Sequence, residues 1–233
     1  MRNAFAAARD SKRTELGNRY GGTYEAGRPG RWAELGWPPP GRNHRPRQRL
    51  GHAAGGTDVW LRDGSPVVIR QIRAADAPLV ADIFAQLSPT SRWMRFLGPR
   101  SALSAAELRY LTDIDQHDHE ALAAIDRLGG RGVGDARYIR HAGDPQAAEV
   151  AITVVDAWHR RGLGTELLAQ LSVRARQAGI SRLTGLASAH NVAIAALLRT
   201  TSAQVTGREA DTVEYEITLA TQAGQRWAVP RPR

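Results

Sequence analysis

The chain has no cysteine, and its 32 Lys+Arg residues include a single lysine, Lys12. The first absence removes disulfides, thiolate zinc sites and cysteine nucleophiles together. The second removes the Gly-Lys-Ser/Thr of a nucleotide-binding P-loop. Aromatic residues make up 6% of the sequence, and no apolar run approaches the ~18 residues of a membrane span. The opening residues, Met1-Arg-Asn-Ala-Phe-Ala-Ala-Ala, do not read as a secretory signal, because Arg9 and Asp10 interrupt any apolar core. A cytoplasmic protein without a membrane anchor is the expectation.

What charge there is lies unevenly. Residues 1–56 hold eleven basic and four acidic side chains, so they supply +7 of the formal +9 of the 233-residue chain. Residues 57–233 hold 21 basic and 19 acidic side chains, a balanced +2. The first segment also carries ten of the 23 glycines and five of the twelve prolines, with few aliphatic residues. Such a segment cannot bury enough apolar surface to offset chain entropy, so 1–56 is predicted to be a disordered Arg/Gly/Pro-rich tail. Its charge would suit nucleic acid or anionic surfaces by counterion release, but thirty-one arginines against one lysine favour Arg-rich compositional bias, which is the preferred reading, and no RNA-binding motif frames Trp32 or Trp37. Residues 57–220 are predicted to form the folded domain, and 221–233, with Pro230 and Pro232, a second tail.

The domain is organised around Ala147 to Leu171. Val150 to Val155 is a β-branched run without a turn residue, which predicts a buried strand. After Asp156-Ala-Trp158, the run His159-Arg160-Arg161-Gly162-Leu163-Gly164-Thr165 leads into Leu163, Leu167, Leu168, Leu171 and Ala175, spaced as one apolar helix face. Strand, Gly-rich turn and helix make an anion-binding architecture. The first helix amides lack internal partners and sit at the positive end of the helix dipole. A dinucleotide fingerprint would need a third glycine where Leu167 stands, so the Rossmann reading fails. A merely structural strand–turn–helix is the alternative.

Around this stretch, Val67 to Arg73 alternates as a first strand after a turn at Asp63-Gly64. Asp76 reads as an N-cap before the helical spacing Leu79, Val80, Ile83, Phe84 and Leu87, and Ser88-Pro89 breaks that helix. A short helix over 91–97 follows, then the capping box Ser104-Ala-Ala-Glu107. Strands are predicted over 121–126 and 133–139, joined by a hairpin, with a turn at Asp144-Pro145. The long helix should end near Gly179. A strand over 181–187, a helix capped by Asn191, and strands over 203–208 and 213–219 complete the order. The fold class is α/β (α+β): a mixed, mostly antiparallel sheet flanked by helices.

The Gln/Arg-x-x-Gly-x-Gly/Ala turn, with His159 in its first position, resembles the acyl-CoA signature of the GNAT superfamily of N-acyltransferases. The likeness covers about residues 66–220. The runs Leu61-Arg-Asp-Gly-Ser, Ile69-Arg-Gln-Ile-Arg, Leu87-Ser-Pro-Thr-Ser-Arg, Leu111-Thr-Asp-Ile-Asp, Val133-Gly-Asp-Ala-Arg-Tyr and Ala148-Glu-Val-Ala are similar to the acetyltransferase domain of bacterial Pat-type protein lysine acetyltransferases. The resemblance implies acetyl-CoA as cosubstrate and a protein lysine ε-amine as acceptor. No attached cyclic-nucleotide-binding or synthetase-like domain is expected. It assigns the cofactor to Val154, Val155, His159, Arg160, Arg161, Gly162, Leu163, Gly164, Thr165 and Asn191, with the oxyanion donor a backbone amide around Val154 or Val155.

The family's catalytic glutamate falls on Glu149. Read from the residues, it is an acid inside an Ala/Val/Ile strand, where partial desolvation favours basicity; an acid at a frayed strand start is the alternative. Leu198 stands where many such enzymes place a tyrosine that protonates the departing thiolate. Asp113, Asp115, His117, Asp118 and His119 read as a solvated loop, with no metal expected, and His119 and Asp115 as candidates for the acceptor site. Small-amine acetylation, a non-catalytic acyl-CoA sensor and a nucleic-acid adaptor stay open.

Overall fold

The computed structural model of the protein describes residues 56–219. The readings of the two tails, over 1–55 and from 220 onward, lie outside the described residues. Eight strands form one sheet in the order β1-β2-β3-β4-β5-β6-β8-β7. They are β1 (Thr57–Trp60), β2 (Pro66–Gln71), β3 (His119–Asp126), β4 (Gly132–His141), β5 (Asp144–Val154), β6 (Arg182–Ser188), β7 (Ala203–Glu209) and β8 (Thr212–Thr218). The helices are α1 (Ala77–Gln86), α2 (Pro89–Phe96), α3 (Ala105–Thr112), α4 (Leu163–Gln177) and α5 (Val192–Leu198). Every neighbouring pair is antiparallel except β5 and β6, which the α4 crossover makes parallel. The mostly antiparallel mixed sheet is as the sequence predicts.

Strand alternation sorts the core onto two faces. β3 sends Leu122 and Ala124 one way, together with Val67, Ile69, Ala136, Ala148 and Val150, against the Leu163, Leu167, Leu168, Leu171 and Ala175 stripe of α4. Each of those leucines contributes roughly 1.5–3 kcal/mol by leaving water. On the other face Ala121 and Ala123 pack with Ile72, Val80 and Leu111 under α1 and α3. That second face also carries a buried charge pair in β4, Arg137 to Asp135 at 2.9 Å, with Arg137 donating a further hydrogen bond to the Leu111 carbonyl.

The capping box at Ser104 and Glu107 forms as predicted, and Ser88 caps α2 by accepting from the Ser91 amide. Three expectations change. The short exposed strand β1 has no predicted counterpart, because an edge strand with one partner needs no alternating apolar face. The corner placed at Asp144-Pro145 falls instead on Ala142-Gly143. Asp144 already pairs with His141, and Pro145 lies beside a bulge, where a strand tolerates a missing donor. Asp76 occupies the N-cap of α1, but its carboxylate serves Arg70, at 2.6 and 2.8 Å, and the Arg73 amide.

Candidate functional site

The β5–β6 ladder contains three pairs, ending at Glu149↔Thr184, although β5 continues to Val154 and β6 to Ser188. Each strand stays paired on its outer side, β5 with β4 as far as Val154 and β6 with β8 as far as Ser188. A cleft therefore opens between them. The Val155 amide donates to the Val133 carbonyl at 3.0 Å, on the β4 side. Strand alternation then turns the N–H and C=O of Val154 and Ile152 into the cleft. Of the two residues proposed for the oxyanion donor, the Val155 amide is thus already engaged and Val154 presents the open one.

The mouth of the cleft is the Gly-rich turn. His159 Nε2 lies 2.8 Å from the Val154 carbonyl, and since a carbonyl only accepts, Nε2 carries the proton. Arg160 takes a left-handed conformation, φ 61, and Gly162 another, φ 92, as the N-cap of α4. The first turn of α4 closes with the Glu166 amide on the Gly162 carbonyl. The amides of Leu163, Gly164 and Thr165 precede that bond and have no helical acceptor. Leu163 is buried in the core, so its contribution to a ligand is its amide. A Cβ at Gly164 would lie 3.9 Å from both Val154 and Leu197, which places this glycine between the end of β5 and α5, facing the cleft.

The β1–β2 loop closes over the turn in a way the sequence did not announce. The Arg62 amide donates to the Arg161 carbonyl, and a Cβ on Gly162 would sit 3.2 Å from Arg62 Nε. Arg161 pairs with Asp63 at 3.1 Å, donates to Ser65 and stacks over Trp158. On the far side, Asn191 Oδ1 accepts from the Ile194 amide at 3.0 Å, capping α5. Leu198 is half-buried against the core with Ile194 and Leu197.

Glu149 sits where the two strands part. It is half-buried, and its carboxylate has no hydrogen bond or ion pair among the described residues. Its charge acts on Arg95, Tyr110 and Tyr215. Tyr215 faces Gly185 across β6, and a Cβ on that glycine would fall 2.3 Å from the phenol oxygen. The ring therefore lies across the glycine. Burial and the Glu149 charge push the Tyr215 hydroxyl up to about 12.

The face that carries Glu149 also carries Thr153, Asp135 and Arg137, which alternate in register with it. Arg95 on α2 donates through Nε to Thr153 Oγ1 at 3.0 Å. Burial lowers the pKa of that guanidinium, against the pull of Asp135. The position of α2 is set by Asp156, whose carboxylate accepts from the Ser88 amide, the Ser88 hydroxyl and the Ser91 hydroxyl at 2.9, 2.8 and 2.7 Å. Burial acts to raise the Asp156 carboxyl, but these donors hold it below the usual carboxylate range. The sequence marks Asp156 only as the end of a strand; Ser88-Pro-Thr-Ser91 is the local signal for its partner.

His119 lies in the same cross-strand row as Glu149, through Ile139. It stacks near Tyr110, with Arg137 Nη1 3.4 Å from its Nε2, and burial followed by the Arg137 charge pushes it down to about 3. Asp115 is used locally: its Oδ1 accepts the amides of His117, Asp118 and His119. Asp118 pairs with Arg140 and His117. No group of three or more potential metal ligands converges among the described residues.

Residues 67–203, more than half of the chain, match the family model described as Acetyltransferase (GNAT) domain. The chain is similar to Acetyltransferase Pat of Mycolicibacterium smegmatis, 29% identical over 148 residues, 64% of this chain and 44% of that protein. It thus spans less than half the length of that relative. Acetyltransferase PA5475 of Pseudomonas aeruginosa is 35% identical over 142 residues, covering 59% of this chain and 76% of its own. Among solved structures, the GNAT domain of S. lividans PAT superposes with a TM-score of 0.67 at 30% identity, covering 73% of this chain and 100% of that one.

Proposed function

We propose, from the premise that this chain belongs to the GNAT acetyltransferase family and is an N-acetyltransferase, that it moves acetyl from acetyl-CoA to lysine ε-amines of proteins, with Glu149 as the base. The observation that carries this reading is the unpartnered Glu149 carboxylate at the point where β5 and β6 part. The likeness to Pat proteins supports the lysine acceptor.

Acetyl-CoA, when bound, supplies an activated thioester. The amides of Leu163, Gly164 and Thr165 and the α4 dipole hold its pyrophosphate, with Arg160 and Arg62 adding positive charge. Gly162 and Gly164 let the backbone approach. The Val154 N–H donates to the acetyl carbonyl oxygen and stabilises the negative charge that develops there during attack. A free lysine has a pKa near ~10.4, so its ammonium must lose a proton first. Glu149 accepts that proton, directly or through one water, from the α2 side of the sheet. The amine then attacks the carbonyl carbon, the C–S bond breaks with its electron pair leaving on sulfur, and the second amine proton passes through water to the departing thiolate, giving the amide and free CoA thiol. Nothing on the chain becomes acylated. Holding both reactants at the cleft itself supplies ~7–11 kcal/mol.

The test is direct. Purified protein is mixed with acetyl-CoA and a panel of lysine-containing proteins, lysine peptides and small amines, and thiol release and mass gain are followed. Acetyl-lysine formation is the expected result. Turnover of small amines alone would reassign the acceptor, and tight acetyl-CoA binding with no turnover on any amine would make the domain a sensor.

A further inference from the structure

Arg95 presents a charge without a counter-ion. Its Nε is satisfied by the neutral Thr153 hydroxyl, its guanidinium lies 5.1 Å from the Phe96 ring centre, and its two terminal nitrogens have no hydrogen bond or ion pair among the described residues. The acidic groups whose charges act on it are Asp135 and Glu149. Asp135 is already gripped twice by Arg137, through Nε at 3.2 Å and Nη2 at 2.9 Å. Glu149 stands outside ion-pair distance. A half-buried guanidinium with no anion gives up hydration without recovering it, and this one is held in place by the Asp156–Ser88–Ser91 anchor of α2. Arg92 and Arg100, on or just beyond the same helix, are both engaged: Arg92 with the Ala85 carbonyl and Arg100 with Glu107.

Glu149 and Thr153 share one face of β5, with backbone positions about 13 Å apart along the strand, and the long side chains of Glu149 and Arg95 bring their charges close enough to act on one another. An acceptor that satisfies both ends must carry an ammonium at one and a carboxylate at the other. We infer that Arg95 binds the carboxylate of an Asp or Glu side chain next to the acceptor lysine, so that the substrate is a lysine in an acidic local context. The guanidinium offers two parallel donors that match a carboxylate, and the Phe96 ring backs it. This rests on the lysine-acetyltransferase reading of the site and adds a sequence preference to it.

The experiment uses two peptides identical except for Glu or Gln on each side of a single lysine. For the full chain, kcat/KM should be about tenfold higher for the Glu peptide, a difference of 1.4 kcal/mol. That ratio should shrink as salt is raised. Arg95→Met keeps the length of the stem and should bring the ratio to about one, while Arg95→Lys should keep part of it. Acetyl-CoA affinity and melting temperature report whether each variant is folded, and the salt dependence of the unaltered chain needs no variant. A ratio near one in the unaltered chain, or a ratio that survives Arg95→Met, overturns the inference. No thiol release with either peptide would overturn the lysine reading beneath it, which is a distinguishable result.

Discussion

On one side of the β5–β6 cleft, the groups proposed to hold acetyl-CoA come, Arg62 apart, from one continuous segment, Val154 to Thr165, and most are backbone amides. On the other side, Glu149, Thr153, Arg95, Tyr110 and His119 come from β5, α2, α3 and β3, and all act through side chains. The first half is built by local chain geometry, so it needs glycine and a helix start and tolerates His159 where another residue is usual. The second half is built by packing, and a single substitution there changes its chemistry. Binding should therefore be lost by changes to the turn, and turnover or selectivity by changes to the opposite face.

The largest effect expected is that of Gly164→Glu. A Cβ at this position meets only side-chain atoms of Val154 and Leu197 at 3.9 Å, and Glu favours a helix more than Gly does. The fold should hold while a negative charge enters the pyrophosphate position, and acetyl-CoA binding should disappear from calorimetry. Unchanged affinity in a folded variant would move the phosphate site elsewhere and break the division between the two halves.

Glu149→Gln should sharpen it. Acetyl-CoA affinity should persist, because the turn is untouched, while turnover on a lysine acceptor falls by ~10²–10⁴-fold. Raising the pH should recover part of the loss, since more lysine then arrives deprotonated. Equal rates at neutral pH would leave positioning, and not proton removal, as the contribution of this face.

The same division explains what the sequence made legible. Local periodicity and turn chemistry revealed α4, its Gly-rich start, the Ser104 capping box and the Asn191 cap, because each is written within a few residues. The candidate base Glu149 came from the resemblance, on a strand whose apolar pattern was clear. The position of Arg95 was not legible, because it depends on α2 being drawn to the end of β5 by Asp156, contacts between residues 65 and 68 positions apart. The Asp63–Arg161 pairing spans a still longer stretch of chain, and nothing in Leu61-Arg-Asp-Gly-Ser beyond a turn foretells it. Tyr215 shows as one member of an alternating strand; that its ring covers Gly185 at the splay is a matter of register.

Asp156→Ala tests the anchor that joins the two halves, with a smaller effect. Losing three charge-assisted acceptor contacts should cost roughly 1–3 kcal/mol, discounted toward the lower end because Asp156 is partly solvated. For a domain of this size that is about 2–4 °C per kcal/mol in melting temperature. The Asp156 pKa is lowered in the fold, so its contribution is present above the ordinary aspartate value and lost as pH falls through the folded one. The gap in melting temperature between the parent and the variant should therefore close below about pH 4. A gap that stays constant into that range would assign the stabilisation to packing rather than to the carboxylate.

The smallest effect concerns His119, which shares a row across the sheet with Glu149 through Ile139. Its folded pKa of about 3 lies below the ordinary histidine value of ~6.5, so the fold holds a neutral ring. In the unfolded chain the ring takes up a proton below ~6.5, and the unfolded state then binds more protons than the native one. Stability from this group is complete above ~6.5 and is lost progressively as pH falls toward 3. His119→Gln replaces the ring with a side chain that never charges, and it should flatten the fall in melting temperature between pH 6.5 and 4 by a small amount. The parent pH–rate profile should show no His119 titration between pH 6 and 8, and the ring resonances should stay in their neutral positions in NMR spectra across that window. A titration near 6.5 would mean that the ring is open to water and charges beside Arg137, which would make this side of the cleft a pH-responsive surface rather than a packed one.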